Sequence, residues 1–317
     1  MFGIDGLYDY ILIDGQHLVH RAAHAYGDLS FVDTNGNEVH TGIIYGFLRL
    51  VAQTWKNYAD PNTQVVVCWE GGYKHRTALY PPYKANRREQ PDEEKQEYLD
   101  VMFSQQRALQ KILRVAGWSQ ARASGYEADD VLATLAYQHG DSNVALYTGD
   151  QDLHQCVTDK VHVVSAVPGG GKSDKIWKIA DVVEKWGLEP ERVPEAKALA
   201  GDSGDNIPGC PGCGLGWAKK LLDGPRSVTE VLSLAEAGVL EGTYNGKAWR
   251  APSLTEKLAA NREQVLISWE LAKVVRDCPV EIDEGERDHV KLKAILERLH
   301  MFSLADGRNW ERLSDVR

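Results

Sequence analysis

Acidic side chains stand where short apolar runs end, and this pattern limits the fold more than any other feature of the 317-residue chain. The apolar runs at residues 10–13 and 65–69 end at Asp14 and Glu70, and Asp150 follows a third run within three residues. Continuous β-branched runs of this length are typical of strands that are buried on both faces of a sheet. Because the carboxyl ends of parallel strands meet at one edge of a sheet, we expect these acids to converge there.

Segments with helical periodicity lie between the apolar runs. They cover residues 17–26, 42–58, 96–116 and 126–137. A fourth strand is expected at residues 161–164, and after residue 175 the pattern becomes helical. Strands that alternate with helices indicate a parallel sheet. The predicted fold class is therefore α/β, with a parallel-sheet core at residues 1–178 followed by a helical domain at residues 179–317.

The clustered acids are the candidate metal ligands. They are Asp14, Glu70, Glu127, Asp129, Asp130, Asp150, Asp152, Asp202 and Asp205. Converging carboxylates repel one another unless a cation neutralises them, and Mg²⁺ prefers oxygen ligands. So many carboxylates can hold two ions, the arrangement that hydrolyses phosphodiesters. The alternative is that these acids are solvated loop residues. A single Asp after one strand would fit that alternative, but acids after three strands and in the first turn of a helix do not.

The formal net charge of −10 argues against a nucleic-acid partner when it is taken alone. Six bases are nevertheless clustered within fifteen positions. They are Lys74, His75, Arg76, Lys84, Arg87 and Arg88. The surrounding segment, residues 73–95, has no apolar face and is predicted to be an exposed loop. Its spacing leaves open whether Lys84 is a solvated charge or stabilises negative charge on a phosphoryl group at the sheet edge.

A glycine-rich turn at residues 207–214 leads into a predicted helix. Gly209, Gly212 and Gly214 allow the backbone to approach a phosphate, which the amides at a helix N-terminus bind. A plain turn between two helices, without a ligand, remains the alternative. Lys219 and Lys220 follow in the helix.

Other motifs are excluded or carry no chemistry. Residues 168–173 imitate the end of a phosphate-binding loop, but Ala166 stands where that motif needs glycine. Cys210 and Cys213 lack the second pair that a zinc site needs. The five cysteines are expected to be buried, reduced thiols, and four of the tryptophans are expected in the core. No signal peptide or membrane span is evident, which favours a cytoplasmic protein, and nothing indicates an oligomer.

Several segments resemble the 5′-nuclease family when they are taken together and in order. They are IDGQHLVHRAAHA, YPPYKANR, GYEADDVLATLA, TGDQDLHQCV and LAGDSGDNIPGCPGCGLGWAKKLL. The family comprises flap endonucleases, bacteriophage 5′-3′ exonucleases and the N-terminal nuclease domain of bacterial DNA polymerase I. The likeness extends from about residue 8 to residue 305.

The resemblance implies a PIN-like nuclease core with a helical arch at about residues 73–100 and a helix-three-turn-helix motif at about residues 202–222. Members cleave 5′ flaps and 5′ ends of duplex DNA with two Mg²⁺ ions, for which Mn²⁺ substitutes, and leave a 5′-phosphate and a 3′-hydroxyl. The helix-three-turn-helix motif often holds a K⁺ ion. The implied partner is DNA with a 5′ flap or 5′ end, or an RNA–DNA hybrid, and the implied roles are replication, repair or recombination.

By the resemblance, individual residues take the roles of the family positions they match. Ligands of a first metal would be Asp14, Glu70, Glu127 and Asp129. Asp130 would lie between the two metals, and ligands at or near the second would be Asp150, Asp152, Asp202 and Asp205. The DNA contacts would be Arg21, Tyr83, Lys84, Arg87, Gly209, Gly212 and Gly214, with Lys84 and Arg87 on the scissile phosphate.

The chain departs from the family pattern at two places. Glu70 stands where the family usually has Asp, so its carboxylate reaches about 1.5 Å further, and a misplacement of about 1 Å can cost on the order of 10²-fold in rate. Residues 215–217 stand where the family usually has a polar or basic pair, so binding of the duplex would depend on Lys219 and Lys220.

Alternative functions remain open at this stage. One is a catalytically weak or inactive protein that binds branched DNA, although all nine acidic positions are kept. Another is an RNA-cleaving enzyme on a related acidic fold. The sequence does not rank flap against exonuclease activity. No polymerase segment follows residue 317, which favours a free-standing monomeric nuclease with a role in phage replication or recombination.

Overall fold

The computed structural model describes residues 7–87, 92–166 and 174–316. Arg88 and the whole segment that imitates a phosphate-binding loop, residues 168–173, lie outside these residues. The predicted α/β class is confirmed: a mainly parallel sheet is combined with a helical C-terminal region. Within the described chain, no helix is both long and apolar enough to cross a membrane.

Seven of the eleven strands form the central sheet. The strands in chain order are β1 (Tyr10–Asp14), β2 (Ser30–Val32), β3 (Glu38–His40), β4 (Gln64–Trp69), β5 (Ser119–Arg122), β6 (Val144–Tyr147), β7 (Val161–Ser165), β8 (Lys175–Trp177), β9 (Glu241–Tyr244), β10 (Lys247–Arg250) and β11 (Glu281–Asp283). The order across the sheet is β11-β5-β4-β1-β6-β7-β8. The five inner strands are parallel, whereas β8 and β11 are antiparallel edges. The four predicted strands are all inner ones.

Fourteen α-helices connect and cover the described strands. They are α1 (Gly15–Tyr26), α2 (Gly42–Tyr58), α3 (Lys74–Leu79), α4 (Glu93–Ala116), α5 (Ala128–Gln138), α6 (Ile179–Trp186), α7 (Val193–Ala200), α8 (Leu215–Leu221), α9 (Val228–Glu236), α10 (Pro252–Ala260), α11 (Arg262–Ala272), α12 (His289–Arg298), α13 (Phe302–Ala305) and α14 (Gly307–Asp315). The four helices predicted in the core correspond to α1, α2, α4 and α5. The helical prediction after residue 175 missed the hairpin of β9 and β10.

The inner strands send alternate side chains into two separate cores. Ile11 and Ile13 pack with α1, α2 and α4 on one face, whereas Leu12 packs with α5 and the C-terminal helices on the other. The helices on the Leu12 face are α5 and α6–α11, whereas the last three, α12–α14, pack on the Ile11 face. This alternation follows from the two-residue period of a strand. Burial on both faces explains why these strands appear in the sequence as continuous apolar runs.

The predicted boundary at residue 178 does not separate the chain into two independent parts. β11 pairs with β5 at the edge of the central sheet, and Leu292, Leu296 and Leu313 are buried in the core beside α2 and α4. The segment 281–316 therefore packs on the first domain, although it falls within the helical domain predicted for residues 179–317. The sequence does not reveal this packing, because the three-residue strand and short helices of the segment carry too few apolar residues.

The prediction of an exposed loop at residues 73–95 is also wrong in its first half. Residues 74–79 form α3, and residues 85–87 form a short 3₁₀ helix. Arg76, Tyr83 and Lys84 are only 6%, 2% and 8% exposed. Polar composition suggested solvation, but these side chains are buried because acidic partners on other elements pair with them.

The cysteine prediction is confirmed for burial, since all five are buried and free. Trp55, Trp118 and Trp186 are core residues as predicted, whereas Trp269 is only half-buried.

Candidate active site

Asp14 occupies the carboxyl end of β1 and caps α1. Its carboxylate accepts hydrogen bonds from the His17 N–H at 2.9 Å and from the Thr148 hydroxyl at 2.8 Å. Burial raises the pKa of Asp14 to about 6, although both hydrogen bonds oppose the shift. The Asp14 carboxylate is therefore held in one orientation but is poorly solvated, a state that a nearby cation would stabilise.

Glu70 follows β4 and points to the start of α5. Its carboxylate accepts a hydrogen bond of 3.3 Å from the Ala128 N–H. Burial, and next the charge of Glu127, raise the pKa of Glu70 to about 7. The longer side chain thus still reaches the acidic edge, where it contacts the N-terminus of a helix.

Asp129 is the most poorly compensated of the nine acids. Burial and the negative charges of Asp150, Asp14 and Asp152 raise its pKa well above the usual range. It makes no hydrogen bond or ion pair with any residue that the structure describes. A carboxylate surrounded by like charges and without a partner is the donor that a divalent cation neutralises best.

Asp130, which was predicted to join the metal site, has its carboxylate fully hydrogen-bonded within the protein in this structure. It is 0% exposed. Its Oδ1 accepts from Arg76 at 2.8 Å and from the Val275 N–H at 2.9 Å, and its Oδ2 accepts from Arg76 at 2.6 Å and from the Glu127 N–H at 3.1 Å. Four donors use the acceptor capacity of the carboxylate, so no lone pair remains for a cation.

The arch residues meet acids from both parts of the chain. The Tyr83 hydroxyl donates to Glu127 at 2.7 Å and lies 3.2 Å from Asp205. Lys84 pairs closely with Glu127, and its Nζ lies 3.6 Å from Asp205. Arg87 donates to Asp205 at 2.6 Å. The cations that were expected near a phosphate therefore hold carboxylates in this structure.

A second lysine, Lys197, bridges the remaining acids and was missed by the sequence analysis. Its Nζ pairs closely with Asp152 and lies 2.8 Å from Asp202. Burial raises the pKa of Asp152 to about 6, although Lys197 opposes the shift. The sequence signal that could have indicated this role of Lys197 is its position in the last turn of α7, five residues before Asp202. Asp150 is exposed nearby, and its Oδ1 accepts the Asp152 N–H at 2.8 Å.

The carboxylate oxygens of these acids suit divalent metal ions, although lysines pair with several of the carboxylates in this structure. Across residues 7–87, 92–166 and 174–316, no three His, Cys, Asp or Glu side chains come close enough together to hold a metal ion. Lys84 and Lys197 instead bridge pairs of carboxylates. The oxygen-only donor set and the unpaired Asp129 match hard cations such as Mg²⁺.

The glycine-rich turn lies between α7 and α8. Gly209 has φ of 58°, and a Cβ there would come within 2.3 Å of the Gly201 backbone nitrogen, so only glycine fits. Gly212 has φ of 84°, whereas Gly214 is extended and precedes α8. Gly214 thus has no conformational need for glycine.

The basic side chains around the turn differ from expectation. Lys219 donates to the Lys185 carbonyl and is half-buried, so its charge is directed towards α6. Lys220 lies over the Trp217 ring at 4.7 Å. Lys257 of α10 was not predicted, yet its Nζ is 3.3 Å from the position that a Cβ on Gly212 would take. No sequence signal links residues 212 and 257, because their proximity is tertiary.

Arg21 lies on α1 beside the end of β6. Its Nη1 donates to the Tyr147 hydroxyl at 3.0 Å, and its guanidinium lies 5.8 Å from the Tyr147 ring centre. It is half-buried, so part of the guanidinium faces solvent.

The fold and the acidic edge define a resolvase-like α/β domain that is joined to a helical domain, and comparison with protein families agrees. Residues 9–187 match the model of the 5′-3′ exonuclease N-terminal resolvase-like domain, and residues 188–295 match that of the 5′-3′ exonuclease C-terminal SAM fold. The chain therefore belongs to the 5′-3′ exonuclease family.

Curated relatives are bacterial DNA polymerases. The thermostable DNA polymerase I of Thermus aquaticus is 33% identical over 300 residues, which is 93% of this chain and 32% of that protein. DNA polymerase I of Bacillus subtilis is 33% identical over 278 residues, 86% of this chain and 28% of that protein. The chain thus spans about a third of the length of the curated relatives it matches.

Solved structures share the fold at low sequence identity. The T5 5′-exonuclease with bound zinc ions superimposes with a TM-score of 0.67 at 20% identity, covering 94% of this chain and 99% of that one. Flap endonuclease-1 from Methanococcus jannaschii gives 0.57 at 12% identity, covering 98% and 91%. The likeness extends over both the sheet and the helical region.

Proposed function

We propose that the chain is a metal-dependent 5′ nuclease that hydrolyses phosphodiester bonds at 5′ flaps and 5′ ends of duplex DNA. The observation that carries the proposal is an acidic edge at which Asp129 is unpaired among like charges, while Lys84 of the arch pairs with Glu127 and Asp205. The T5 flap endonuclease of similar fold was crystallised in complex with DNA and metal ions. DNA together with metal ions suits this site, because the carboxylates of the acidic edge can bind the metal ions and the neighbouring cations can bind the phosphates.

We assign the eight remaining acids to two Mg²⁺ ions, for which Mn²⁺ would substitute. The first ion would be held by Asp14, Glu70, Glu127 and Asp129. The second would be held by Asp150, Asp152, Asp202 and Asp205. When bound, such a pair lowers the pKa of a water molecule and stabilises the leaving 3′-oxygen, which gives 5′-phosphate and 3′-hydroxyl products.

Lys84 and Arg87 would leave their carboxylate partners and bind the phosphate of the substrate instead. Both now pair with Asp205, and Lys84 also pairs with Glu127. Once those carboxylates bind metal, the two cations become available to neutralise charge on the phosphoryl oxygens. Lys197 would likewise leave Asp152 and Asp202. Tyr83, which is held by Glu127, keeps the base of the arch in place during the exchange.

The turn between α7 and α8 would hold the downstream duplex, either DNA or an RNA–DNA hybrid, through its backbone amides at Gly209, Gly212 and Gly214. A K⁺ ion at this turn would assist by screening phosphate charge. Lys220 and Lys257 would supply the cations there, and Lys219 contributes less because it bonds within the protein. Arg21 would contact a phosphate near the sheet edge.

The proposal places the protein in DNA replication, repair or recombination, as a monomer in the cytoplasm of a bacterium or of a phage-infected cell. Its relatives among bacterial DNA polymerases support this setting. The remaining alternative is an inactive protein that binds branched DNA. The choice between an active and an inactive protein depends on whether Glu70 can serve in place of Asp. The Glu70 carboxylate accepts from the Ala128 N–H, beside Glu127 and Asp129, and this contact supports the active enzyme.

Cleavage of a 5′-labelled flap substrate, with and without Mg²⁺, tests the function. We expect metal-dependent cutting near the junction of single strand and duplex. The Asp152→Ala variant should bind the substrate but not cut it, and the exposed Asp159→Ala variant serves as the matched control. Binding without cutting by the unmodified protein, in Mg²⁺ and in Mn²⁺, would establish the inactive binder instead.

A further inference from the structure

A cleft of about 760 Å³ lies between α4 and the edge of the sheet formed by β5 and β11. Its charged lining residues are Arg107, Lys111, Arg114, Arg122, Glu281 and Asp283. Four cations thus face two acids, in a chain whose acids outnumber its bases by 46 to 36. None of these residues belongs to the metal site or to the turn between α7 and α8.

The cations of the cleft are arranged along one face of α4. Arg107, Lys111 and Arg114 are exposed and stand four and three residues apart, so they lie on the same side of the helix. Residues 101–116 contain no acid, whereas residues 93–100 contain four. The helix dipole accounts for a base in the last turn, where Arg114 lies, but not for Arg107 and Lys111 further back.

Most of these charges lack an acidic partner. Arg114 lies 3.3 Å from Asp283, and that pair is exposed. Arg107, Lys111 and Arg122 form no ion pair with any residue in the described part of the chain. Uncompensated cations in a concave surface attract a polyanion.

One end of the cleft reaches the carboxyl ends of β4 and β5, close to the proposed metal site. Trp69 and Arg122, which are paired in register at the carboxyl ends of β4 and β5, both line it, and Glu70 directly follows Trp69. Phe103 precedes Arg107 by four residues on α4 and is 43% exposed. An exposed aromatic ring followed by a row of cations is the combination that binds single-stranded nucleic acid, because bases stack on the ring and phosphates follow the charges.

We propose that this cleft binds the single-stranded 5′ segment of the flap, with a base on Phe103 and phosphates along Arg107, Lys111 and Arg114. The inference rests on the proposed nuclease function. From Phe103 to Arg114 the helix extends for about 16 Å, enough for a few nucleotides. The cleft would therefore distinguish long flaps from short ones and would not affect the bond that is cut.

The test compares two substrates that share one duplex junction. One carries a flap of two nucleotides and the other a flap of about 20, which is longer than typical single-strand sites of about 4–16 nucleotides. The Arg107→Gln/Lys111→Gln double variant should raise KM for the long flap by about fivefold, since two phosphate contacts are lost. Its kcat on both substrates, and its KM for the short flap, should match those of the unmodified protein.

Salt dependence and a matched control sharpen the test. The slope of log affinity against log salt for the long flap should become less steep by about 1.4, at roughly 0.7 for each single-strand phosphate contact. The Lys293→Gln/Arg298→Gln variant removes two exposed cations from α12, which do not line the cleft, and should retain the original slope. Phe103→Ala should also weaken binding of the long flap only.

Three outcomes separate this inference from the proposed function. If the unmodified protein cuts neither substrate, the nuclease function itself is wrong. If it cuts both and the Arg107/Lys111 variant shows an unchanged KM and salt slope for the long flap, the cleft does not hold the flap. An equal loss on both substrates would also overturn the proposal, because the residues would then act on the duplex or on the fold.

Discussion

Arg76 shows how one buried side chain joins the arch to both parts of the molecule. Its five N–H donors are all used: Nε donates to the Leu271 carbonyl, Nη1 to Glu127 and Asp130, and Nη2 to Asp130 and the Lys273 carbonyl. Burial opposes the charge, but Asp130 and Glu127 raise the pKa of Arg76 above its usual range. The guanidinium therefore stays charged and fixes Glu127 beside the proposed metal site.

Removing Arg76 should be costly, because two carboxylates would remain buried without their cation. We expect Arg76→Ala to lower the free energy of unfolding by about 3–5 kcal/mol, as measured by urea denaturation. Arg76→Lys keeps the charge but provides fewer donors in a different geometry, so its loss should be smaller. The exposed Arg308→Ala should change stability by at most about 0.5 kcal/mol, and a similar value for Arg76→Ala would contradict its role as a buried clamp.

Asp129 should show the opposite behaviour in the absence of metal. Asp129→Asn removes an unpaired charge from among like charges, so we expect it to stabilise the metal-free protein by about 1 kcal/mol. The same change should abolish cleavage and reduce the stabilisation by Mg²⁺, which for an unmodified site is about 2.7 kcal/mol at 100 times its Kd. Thermal unfolding with EDTA and with Mg²⁺ measures both effects.

Asp130→Asn provides the comparison for Asp129, since the two neighbours differ only in their surroundings. It breaks the pairing with Arg76 and should destabilise the protein with and without metal. Equal stability changes for the two variants would refute the distinction between a ligand and a structural acid.

At the residue scale, the sequence identified the acids but not their individual partners. The convergence of Asp14, Glu70 and Asp150 followed from strand ends in a parallel sheet. The structural role of Asp130 and the bridge made by Lys197 depend on tertiary contacts with Arg76, Asp152 and Asp202, which no spacing along the chain reveals.

The turn between α7 and α8 is the element in which backbone conformation matters most. Gly209→Ala places a methyl group 2.3 Å from the Gly201 nitrogen and requires a left-handed residue, so we expect a loss of about 2 kcal/mol or more in stability. Binding of duplex DNA should weaken as well, because the proposed contact with the phosphates uses the amides of this turn. Denaturation and a fluorescence binding assay measure the two effects.

Gly216→Ala is the matched control for the turn. Gly216 lies in α8 with open space around its Cα, so alanine should stabilise the helix by up to about 1 kcal/mol. If Gly216→Ala destabilised the protein as much as Gly209→Ala, the loss of stability in Gly209→Ala would not be due to the geometry of the turn.

At the element scale, strong periodicity was recognised and short polar elements were not. The inner strands other than β5 and the long helices were predicted because burial imposes apolar patterns on them. By contrast, β5 has the sequence SQAR, and β8 and β11 have three residues each, so their pairing depends on neighbours and not on composition. α3 was missed because its six residues are stabilised by ion pairs and not by an apolar face.

At the scale of the whole molecule, the two domains depend on each other. Shortening the chain after residue 280 should expose the edge of β5 and the apolar surfaces of α2 and α4. We expect the shortened protein to bind a hydrophobic dye and to lose its cooperative thermal transition, although it retains the residues of the proposed metal site and of the turn between α7 and α8. A sharp transition at an unchanged temperature would show that residues 281–316 are dispensable for folding.

The overall fold class could be predicted because alternation of strands and helices is a property of long stretches of chain. The return of the C-terminal segment to the first domain could not, since it is a contact between residues more than 150 positions apart.

The pairing of β11 with β5 also has a consequence for the timing of biosynthesis. Strand β5 cannot obtain its outer neighbour until the ribosome has released residue 283, long after residues 119–122 have emerged. At about 5–20 residues per second, the interval is roughly 8–30 seconds. During that interval the acidic residues of the N-terminal domain are already synthesised but stand on an incomplete sheet. A nascent chain of this architecture would therefore not complete the sheet that carries its acidic edge until residue 283 had emerged.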